Sequence, residues 1–185
     1  EVRADQGDIA AALAAYRASL DISLALAKQR PDDKLLQLAL SVSYDRIGDT
    51  LTMRNDLGGA VNAYLASLTI RRDMNAAYPN DADVWSHVAV SYERIGDVRT
   101  TSGDLAGALE VYSAALQISE QLREANPDDQ QWLRAAYVNH QKVAGTYMAQ
   151  RAIDAALVEF HQALEIAEKL HQQDPDNVNR QYDLS

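Results

Sequence analysis

The sequence predicts an all-α protein built from stacked helical hairpins. The four prolines, Pro31, Pro79, Pro127 and Pro175, are separated by steps of 48 residues. Between them, apolar residues recur every three or four positions, which is the spacing of one face of an α-helix. No segment competes as a β-strand. Self-similarity at a fixed period of tens of residues indicates an array in which each unit packs only against its neighbours.

The 48-residue step relates the rest of the chain without any gap. It connects alanines at one position, leucines at a second and aromatic residues at a third: Ala12, Ala60, Ala108 and Ala156; Leu20, Leu68, Leu116 and Leu164; Tyr16, Tyr64, Tyr112 and Phe160. Small residues allow paired helices to approach closely, and the ring one turn later fills the next layer of the interface. The repeat is therefore expected to be a pair of packed helices.

Each repeat is predicted to hold two antiparallel helices of about 20 residues, roughly 30 Å long. The second helix starts at an aspartate placed to cap free amides, Asp8, Asp56 or Asp104. It stops before the proline, where pairs such as Asp32 and Asp33 turn the chain and cap the next first helix. The expected single array comprises a lone second helix in 1–30, full repeats in 31–78, 79–126 and 127–174, and the start of another in 175–185.

The middle repeat resembles the tetratricopeptide pattern of aromatic, Leu-Gly, Ala, aromatic and terminal Pro. The matching residues are Tyr92, Ile95, Gly96, Gly103, Ala108, Tyr112 and Ala115. The resemblance implies a right-handed superhelical solenoid in which the first helix of each motif lines a concave groove that holds peptides or helices. The chain departs from the family in length, since the usual unit has about 34 residues. It also departs in the third motif, where His140 and Ala144 replace Tyr and Gly.

Composition narrows the function classes. Hydrophobic residues make up 47% and charged residues 24% of the chain, which is too apolar for a disordered protein. No uninterrupted apolar stretch approaches the roughly 18 residues of a membrane span, so no membrane partner is expected. The net charge of −10 repels phosphate backbones, and nucleic acid is not an expected partner. The chain has no cysteine, which is compatible with a reducing compartment, and a cytoplasmic localisation is expected.

Catalytic chemistry has no sequence support. The chain lacks a Gly-rich phosphate loop, a nucleophile elbow and a His-Glu-x-x-His motif. The histidines, at positions 87, 140, 161 and 171, have no metal-ligand spacing on any one helix. We therefore expect no enzyme activity, no cofactor and no metal.

Acidic residues one helical turn apart mark a candidate binding face. Asp45 and Asp49 lie on one first helix, and Glu93 and Asp97 take the equivalent positions in the next repeat. The resemblance places this face in the groove, where it would bind a basic or amphipathic segment of another protein. The candidate groove residues are Val42, Asp45, Asp49, Thr52, Val90, Glu93, Asp97, Thr100, Val138, Gln141 and Met148.

Alternatives remain open at this point. Arg46, Arg94 and Lys142 recur beside the acids and can pair with Asp49, Asp97 or a neighbouring repeat, which would make the charges a salt-bridge ladder. The function would then be that of a structural spacer or oligomerisation module, or of a regulatory array in a larger multidomain signalling protein. The sequence starts and stops within first helices, so we expect a fragment of a longer array whose open terminal repeats fray or associate end to end.

Overall fold

The computed structural model describes residues 2–174, with side chains from residue 8 onward. The described residues form an all-α fold of consecutive helices joined by short turns and contain no β-strand. The helices are α1 (Val2–Gln29), α2 (Lys34–Met53), α3 (Leu57–Ala77), α4 (Ala82–Ser102), α5 (Leu105–Ala125), α6 (Gln130–Ala149) and α7 (Ile153–Gln173). The predicted start of a further repeat in 175–185 lies outside the described residues.

The helices belong to two compact units, Glu1–Ser102 and Gly103–Ser185. In the first unit α1 packs on α2, α2 on α3 and α3 on α4; in the second unit α5 packs on α6 and α6 on α7. Because only a few residues join consecutive packed helices, neighbours run antiparallel. The two units divide within the predicted repeat 79–126, between its two helices.

Helix bounds keep the 48-residue step of the sequence. The first helices α2, α4 and α6 begin at residues 34, 82 and 130, and the second helices span 57–77, 105–125 and 153–173. Their lengths of 20 or 21 residues match the expected length. The predicted small residues lie at the crossings, since Ala60, Ala108 and Ala156 are fully buried.

The turns before the second helices also repeat. Asp56 and Asp104 accept hydrogen bonds from the amides of Gly59 and Gly107, as their capping role predicts. The prediction of a helix start at Asp8 was wrong, because α1 runs without a break from Val2 to Gln29 and Asp8 lies within it. The residue before each cap has a positive φ: 60° at Asn55, 83° at Gly103 and 62° at Arg151. Asparagine and glycine tolerate this left-handed conformation. In the turn before α7, arginine takes the strained position and Ala152 replaces the aspartate, with no side-chain cap.

Gly48 sets the distance between α2 and α3. A Cβ atom at this position would lie 2.5 Å from Cε1 of Tyr64, whose side chain is only 3% exposed. In the α6–α7 hairpin the equivalent residues are Ala144 and Phe160, and Phe160 is 41% exposed. The glycine therefore makes room for the buried ring, and the hairpin with alanine leaves its ring more exposed.

One part of α1, Asp8–Gln29, is long and apolar enough to cross a membrane by length and composition alone, with a mean hydropathy of 1.4. The sequence analysis had found no such stretch. This segment carries Arg17 and Asp21 near its middle, and each charge would cost about 2.5–3.5 kcal/mol at a bilayer centre. Its Leu13 and Ala27 are buried in the first unit, whereas Ile22, Leu24 and Leu26 are 64%, 41% and 38% exposed. Only part of the apolar surface of α1 therefore packs within the unit.

Substituting glycines tests the close approach of α2 and α3. Gly48→Ala is expected to destabilise the protein by about 1–3 kcal/mol, because the new methyl group overlaps the Tyr64 ring. Gly145→Ala is the matched control: apart from the backbone of its own helix, no atom lies within 4 Å of its Cβ position, so alanine should stabilise α6 by about 0.5–1 kcal/mol. Urea unfolding followed by circular dichroism measures both. Effects of the same sign would contradict the packing described here.

The missing cap of α7 gives a second prediction. Ala152→Asp restores the aspartate of the other repeats and is expected to stabilise the second unit by about 1 kcal/mol. Ala149→Asp is the control, since it adds the same charge at the exposed C-terminal end of α6, where the helix dipole disfavours it. Thermal unfolding compares the two variants. A gain from Ala149→Asp equal to that from Ala152→Asp would argue against capping as the cause.

Candidate functional site

Ion pairs link the helices of the first unit at three levels. One lies near the start of α4, one in the middle of the unit and one toward the end of α2. They are Lys34–Asp81, Arg71–Asp45 and Arg94–Asp49. Lys34–Asp81 and Arg94–Asp49 join residues of two successive predicted repeats, whereas Arg71 and Asp45 lie on the two helices of one repeat, 31–78.

The central pair is buried. Nη2 of Arg71 lies 2.6 Å from Oδ2 of Asp45, and the two residues are 3% and 5% exposed. The same guanidinium donates to the hydroxyls of Ser41 at 3.2 Å and Ser91 at 2.8 Å, and to the carbonyl of His87 at 3.2 Å. Burial lowers the pKa of Arg71, and Asp45 opposes that effect. An arginine remains charged in proteins, so one cation on α3 holds both α2 and α4.

This arrangement corrects the expectation for Asp45. The sequence placed Asp45 on the groove face together with Asp49, one turn away. The structure buries Asp45 because the long side chain of Arg71 reaches it from α3. Asp45 is therefore part of the packing between helices and does not belong to a binding surface.

Asp49 is held from two sides. The Tyr64 hydroxyl donates to its Oδ1 at 2.7 Å, and Arg94 of α4 pairs with the same carboxylate while its guanidinium lies 5.7 Å from the centroid of the Tyr64 ring. Burial and the hydrogen bond to Asp49 raise the pKa of Tyr64 to about 12, so the phenol keeps the proton that it donates. The salt-bridge interpretation thus describes Arg94 and Asp49 correctly.

A cleft of about 250 Å³ opens beside this pair. It brings together three of the predicted groove residues, Asp49, Thr52 and Asp97. The complete lining is Asp49, Thr52, Met53, Tyr64, Arg94, Asp97, Val98 and Thr101. Two carboxylates and one guanidinium line the cleft, which gives it a negative formal charge, and Met53 at 70% exposure supplies apolar surface.

The other predicted groove residues of the first unit lie at its surface to different degrees. Val42 is 39% exposed and Thr100 is exposed, whereas Val90 and Glu93 are half-buried. The structure does not place these four among the residues that line the cleft.

The predicted residues of the second unit lie on α6. Val138 and Met148 are 38% and 47% exposed, and Gln141 donates a hydrogen bond to the Tyr137 hydroxyl at 2.7 Å. Gln141 and Gly145 stand where α2 and α4 carry acids, so this part of α6 has no carboxylate.

Sequence reasoning missed a second polar cluster, in the second unit. His140 of α6 is 6% exposed; its Nδ1 lies 2.7 Å from Glu159 of α7 and its Nε2 lies 3.1 Å from Glu120 of α5. A signal was present in the repeat, because His140 replaces a tyrosine and Glu159 replaces an alanine or valine of the other copies. Two apolar positions that become polar together indicate a contact.

Arg71 was missed for a related reason. Its equivalents in the other repeats are Ser23, Ser119 and Ala167. A long base at a position for small residues must either point to solvent or find a buried anion. Among the described residues, no group of three or more His, Asp or Glu side chains is placed to hold a metal ion.

Comparisons with known proteins support the fold alone. No family model and no curated protein matches this sequence. The crystal structure of BtubC (BKLC) from P. vanneervenii matches with a TM-score of 0.66 and 17% identity, over 93% of this chain and 68% of that chain. One crystal structure of MamA matches with a TM-score of 0.51 and 19% identity, over 92% of this chain and 95% of that chain. A second crystal structure of MamA matches with a TM-score of 0.52 and 20% identity, over 93% of this chain and 90% of that chain. The chain therefore has a helical-repeat fold.

The buried ion pair can be tested by removing one partner and then both. Arg71→Met is expected to destabilise the protein by about 3–5 kcal/mol, because Asp45 keeps a buried charge without its partner. Asp45→Leu combined with Arg71→Met should recover most of that loss, since no charge remains. Arg72→Met, at an exposed neighbouring position, should change stability by less than about 0.5 kcal/mol. Urea unfolding measures the stability of each variant. Equal losses of stability in Arg71→Met and Arg72→Met would show that the Arg71–Asp45 pair contributes little to the stability of the fold.

Proposed function

We propose that this chain is a non-catalytic scaffold that binds a basic or amphipathic peptide or helix of another protein. The observation that carries the proposal is the cleft of the first unit, where carboxylates of two successive repeats, Asp49 and Asp97, meet beside the exposed Met53. The helical-repeat fold supports an interaction role at a coarser level. The tetratricopeptide resemblance and the cytoplasmic localisation form part of this proposal.

The first unit is suited to charge recognition. Asp49 is already oriented by Tyr64 and Arg94, so the partner does not have to order it. Arg71 fixes the spacing of α2 and α4, and a preformed surface loses less conformational entropy on binding. Negative charge beside apolar surface steers a basic segment toward the cleft and then offers it hydrophobic contact.

The second unit contributes apolar recognition. Val138 and Met148 expose aliphatic surface on α6, with Gln141 and Gly145 in place of acids. This face offers hydrogen bonds and van der Waals contacts but no carboxylate. The proposal therefore assigns the charge dependence of binding to the acids on α4 of the first unit, Asp97 in the cleft and Glu93 one helical turn before it.

A second candidate function, as an oligomerisation module, is favoured by an apolar stripe on α7. Ile153, Leu157, Phe160 and Leu164 are each 41–51% exposed and lie three or four residues apart, along one helix face. In α5 the equivalent Leu109, Tyr112 and Leu116 pack against Val143 and Tyr147 of α6. Sedimentation over a concentration series separates the candidates: association that Leu157→Asp abolishes supports oligomerisation, and a monomer at all concentrations excludes it.

Neutralising the acids of the first unit tests the scaffold proposal. The probe is a synthetic amphipathic helix with lysine on its polar face and leucine on its apolar face. Glu93→Gln with Asp97→Asn should weaken binding several-fold and flatten its salt dependence, because fewer charges steer the probe. The matched control is Asp73→Asn with Glu124→Gln, which changes net charge equally at exposed positions of α3 and α5. Calorimetric titration at two salt concentrations measures the difference.

Two outcomes would count against the scaffold proposal. An equal loss in the control pair would mean that the probe responds to overall charge and not to this face. Equal binding of a probe with glutamate in place of lysine would exclude charge recognition. Circular dichroism of each variant confirms that the fold is retained.

A further inference from the structure

His140 bridges three helices of the second unit. It lies on α6 and is almost closed to solvent, with 6% of its surface exposed. Its Nδ1 contacts Oε2 of Glu159 on α7 at 2.7 Å, and its Nε2 contacts Oε1 of Glu120 on α5 at 3.1 Å. One ring therefore connects the helix before it and the helix after it.

The two contacts determine the charge of the ring. A neutral imidazole has one donor nitrogen and one acceptor nitrogen, whereas ionised carboxylates only accept. A neutral His140 would direct a lone pair at a carboxylate oxygen in a site with little water. Only the imidazolium donates to both Glu120 and Glu159.

The charged groups around His140 also favour the protonated imidazole ring. From α5, Glu120 is held by Arg123, whose Nε lies 3.0 Å from Oε2 and 3.2 Å from Oε1; from α7, Glu159 faces the ring. Glu124 of α5 and Glu165 of α7 act on Arg123 and help to raise its pKa, although its hydrogen bond to Glu120 contributes most. The two carboxylates at the ring are thus balanced by Arg123 and the imidazolium. Deprotonation of His140 would leave an excess negative charge on these half-buried carboxylates.

We propose that His140 is a pH-operated clamp that ties α5 and α7 to α6 while protonated and releases them as the pH rises. The clamp is a particular feature of this repeat. The equivalent positions on α2 and α4 are Tyr44 and Tyr92, and the equivalents of Glu159 on α3 and α5 are Ala63 and Val111. The other hairpins thus have no group that can switch at this place.

The direction of the pH dependence follows from two shifts. Burial lowers the pKa of His140, but the hydrogen bonds and charges of Glu120 and Glu159 outweigh it, so the folded-state pKa lies above the ordinary 6.5. A raised folded-state pKa means that the stabilisation is complete below the unfolded-state pKa and is lost as the pH rises through the folded-state value. Burial raises the pKa of Glu120, but His140 and Arg123 lower it to about 2. The Glu120 contribution is therefore lost only in strong acid, and the clamp opens on the alkaline side.

Release acts first on α7. Glu159 is the residue through which α7 contacts the ring, and it lies between Val158 and Phe160, which are 59% and 41% exposed. Loss of that contact weakens the attachment of α7 to α6 while the apolar cluster formed by Leu133, Ala163 and Leu170 persists. The expected response is local loosening of α7 rather than unfolding of the chain.

The experiment is an NMR titration of the histidine rings in the whole chain from pH 5 to 9, combined with hydrogen-exchange protection factors of the α7 amides. His140 is expected to titrate at a higher pH than in Glu159→Gln, because the variant removes one carboxylate. Protection of α7 should fall as His140 loses its proton. In His140→Gln the protection should not change over that pH range, whereas the exposed His161→Gln should behave like the parent protein.

Either half of the experiment can overturn the proposal. A His140 that titrates at the same pH in the parent and in Glu159→Gln would exclude the bridge. A loss of α7 protection at alkaline pH that persists in His140→Gln would assign the effect to other groups. If His140→Gln does not fold, the ring titration of the parent and Glu159→Gln still decides.

Discussion

The buried contact of Arg71 with Asp45 determines how the first unit is assembled. Two ionised groups removed from water are costly unless they are paired and hydrogen-bonded. Here Ser41, Ser91 and the His87 carbonyl surround the guanidinium, while Oδ1 of Asp45 has no hydrogen-bond partner among the described residues. These partners come from α2 and α4, so the pair forms only when both helices lie against α3 in one register. The positions of Asp49 and Asp97 at the cleft follow from that register.

The same contact recurs along the chain with different chemistry. Residues 20 apart meet at equivalent helix interfaces, α1–α2, α3–α4 and α5–α6: Ser23 with Ser43 at 3.2 Å, Arg71 with Ser91 at 2.8 Å, and Ser119 with Asn139 at 3.4 Å. The backbone repeat fixes the geometry of the contact, and the side chains give each interface its own polar pairing. Because neighbouring repeats share one apolar pattern, these different polar pairs help each helix to pack against its correct neighbour.

Local rules were sufficient to predict most of the fold. The prolines, the aspartate caps and the helical periodicity act within a few residues of themselves, and the bounds of α2 to α7 followed from them, whereas α1 begins before the expected cap at Asp8. The burial of Asp45 depends instead on a side chain of another helix, Arg71 of α3. The spacing of residues along α2 predicted which face of the helix carries Asp45. It did not predict that the side chain of Arg71 extends from α3 to contact Asp45. His140 and Glu159 were hidden in the same way, because each is unremarkable until the helices bring them together.

The α6–α7 hairpin has weaker local signals than its equivalents. Its turn has an arginine at positive φ and no aspartate cap, and Ala144 and Phe160 replace the glycine and buried tyrosine of α2 and α3. In a repeat protein, stability is a sum of local terms and nearest-neighbour contacts. A hairpin that is weak locally depends more on its contacts, and here one of those contacts is an ionic bridge through a histidine. In the proposed clamp, the attachment of α7 therefore depends on the proton that His140 shares with Glu159.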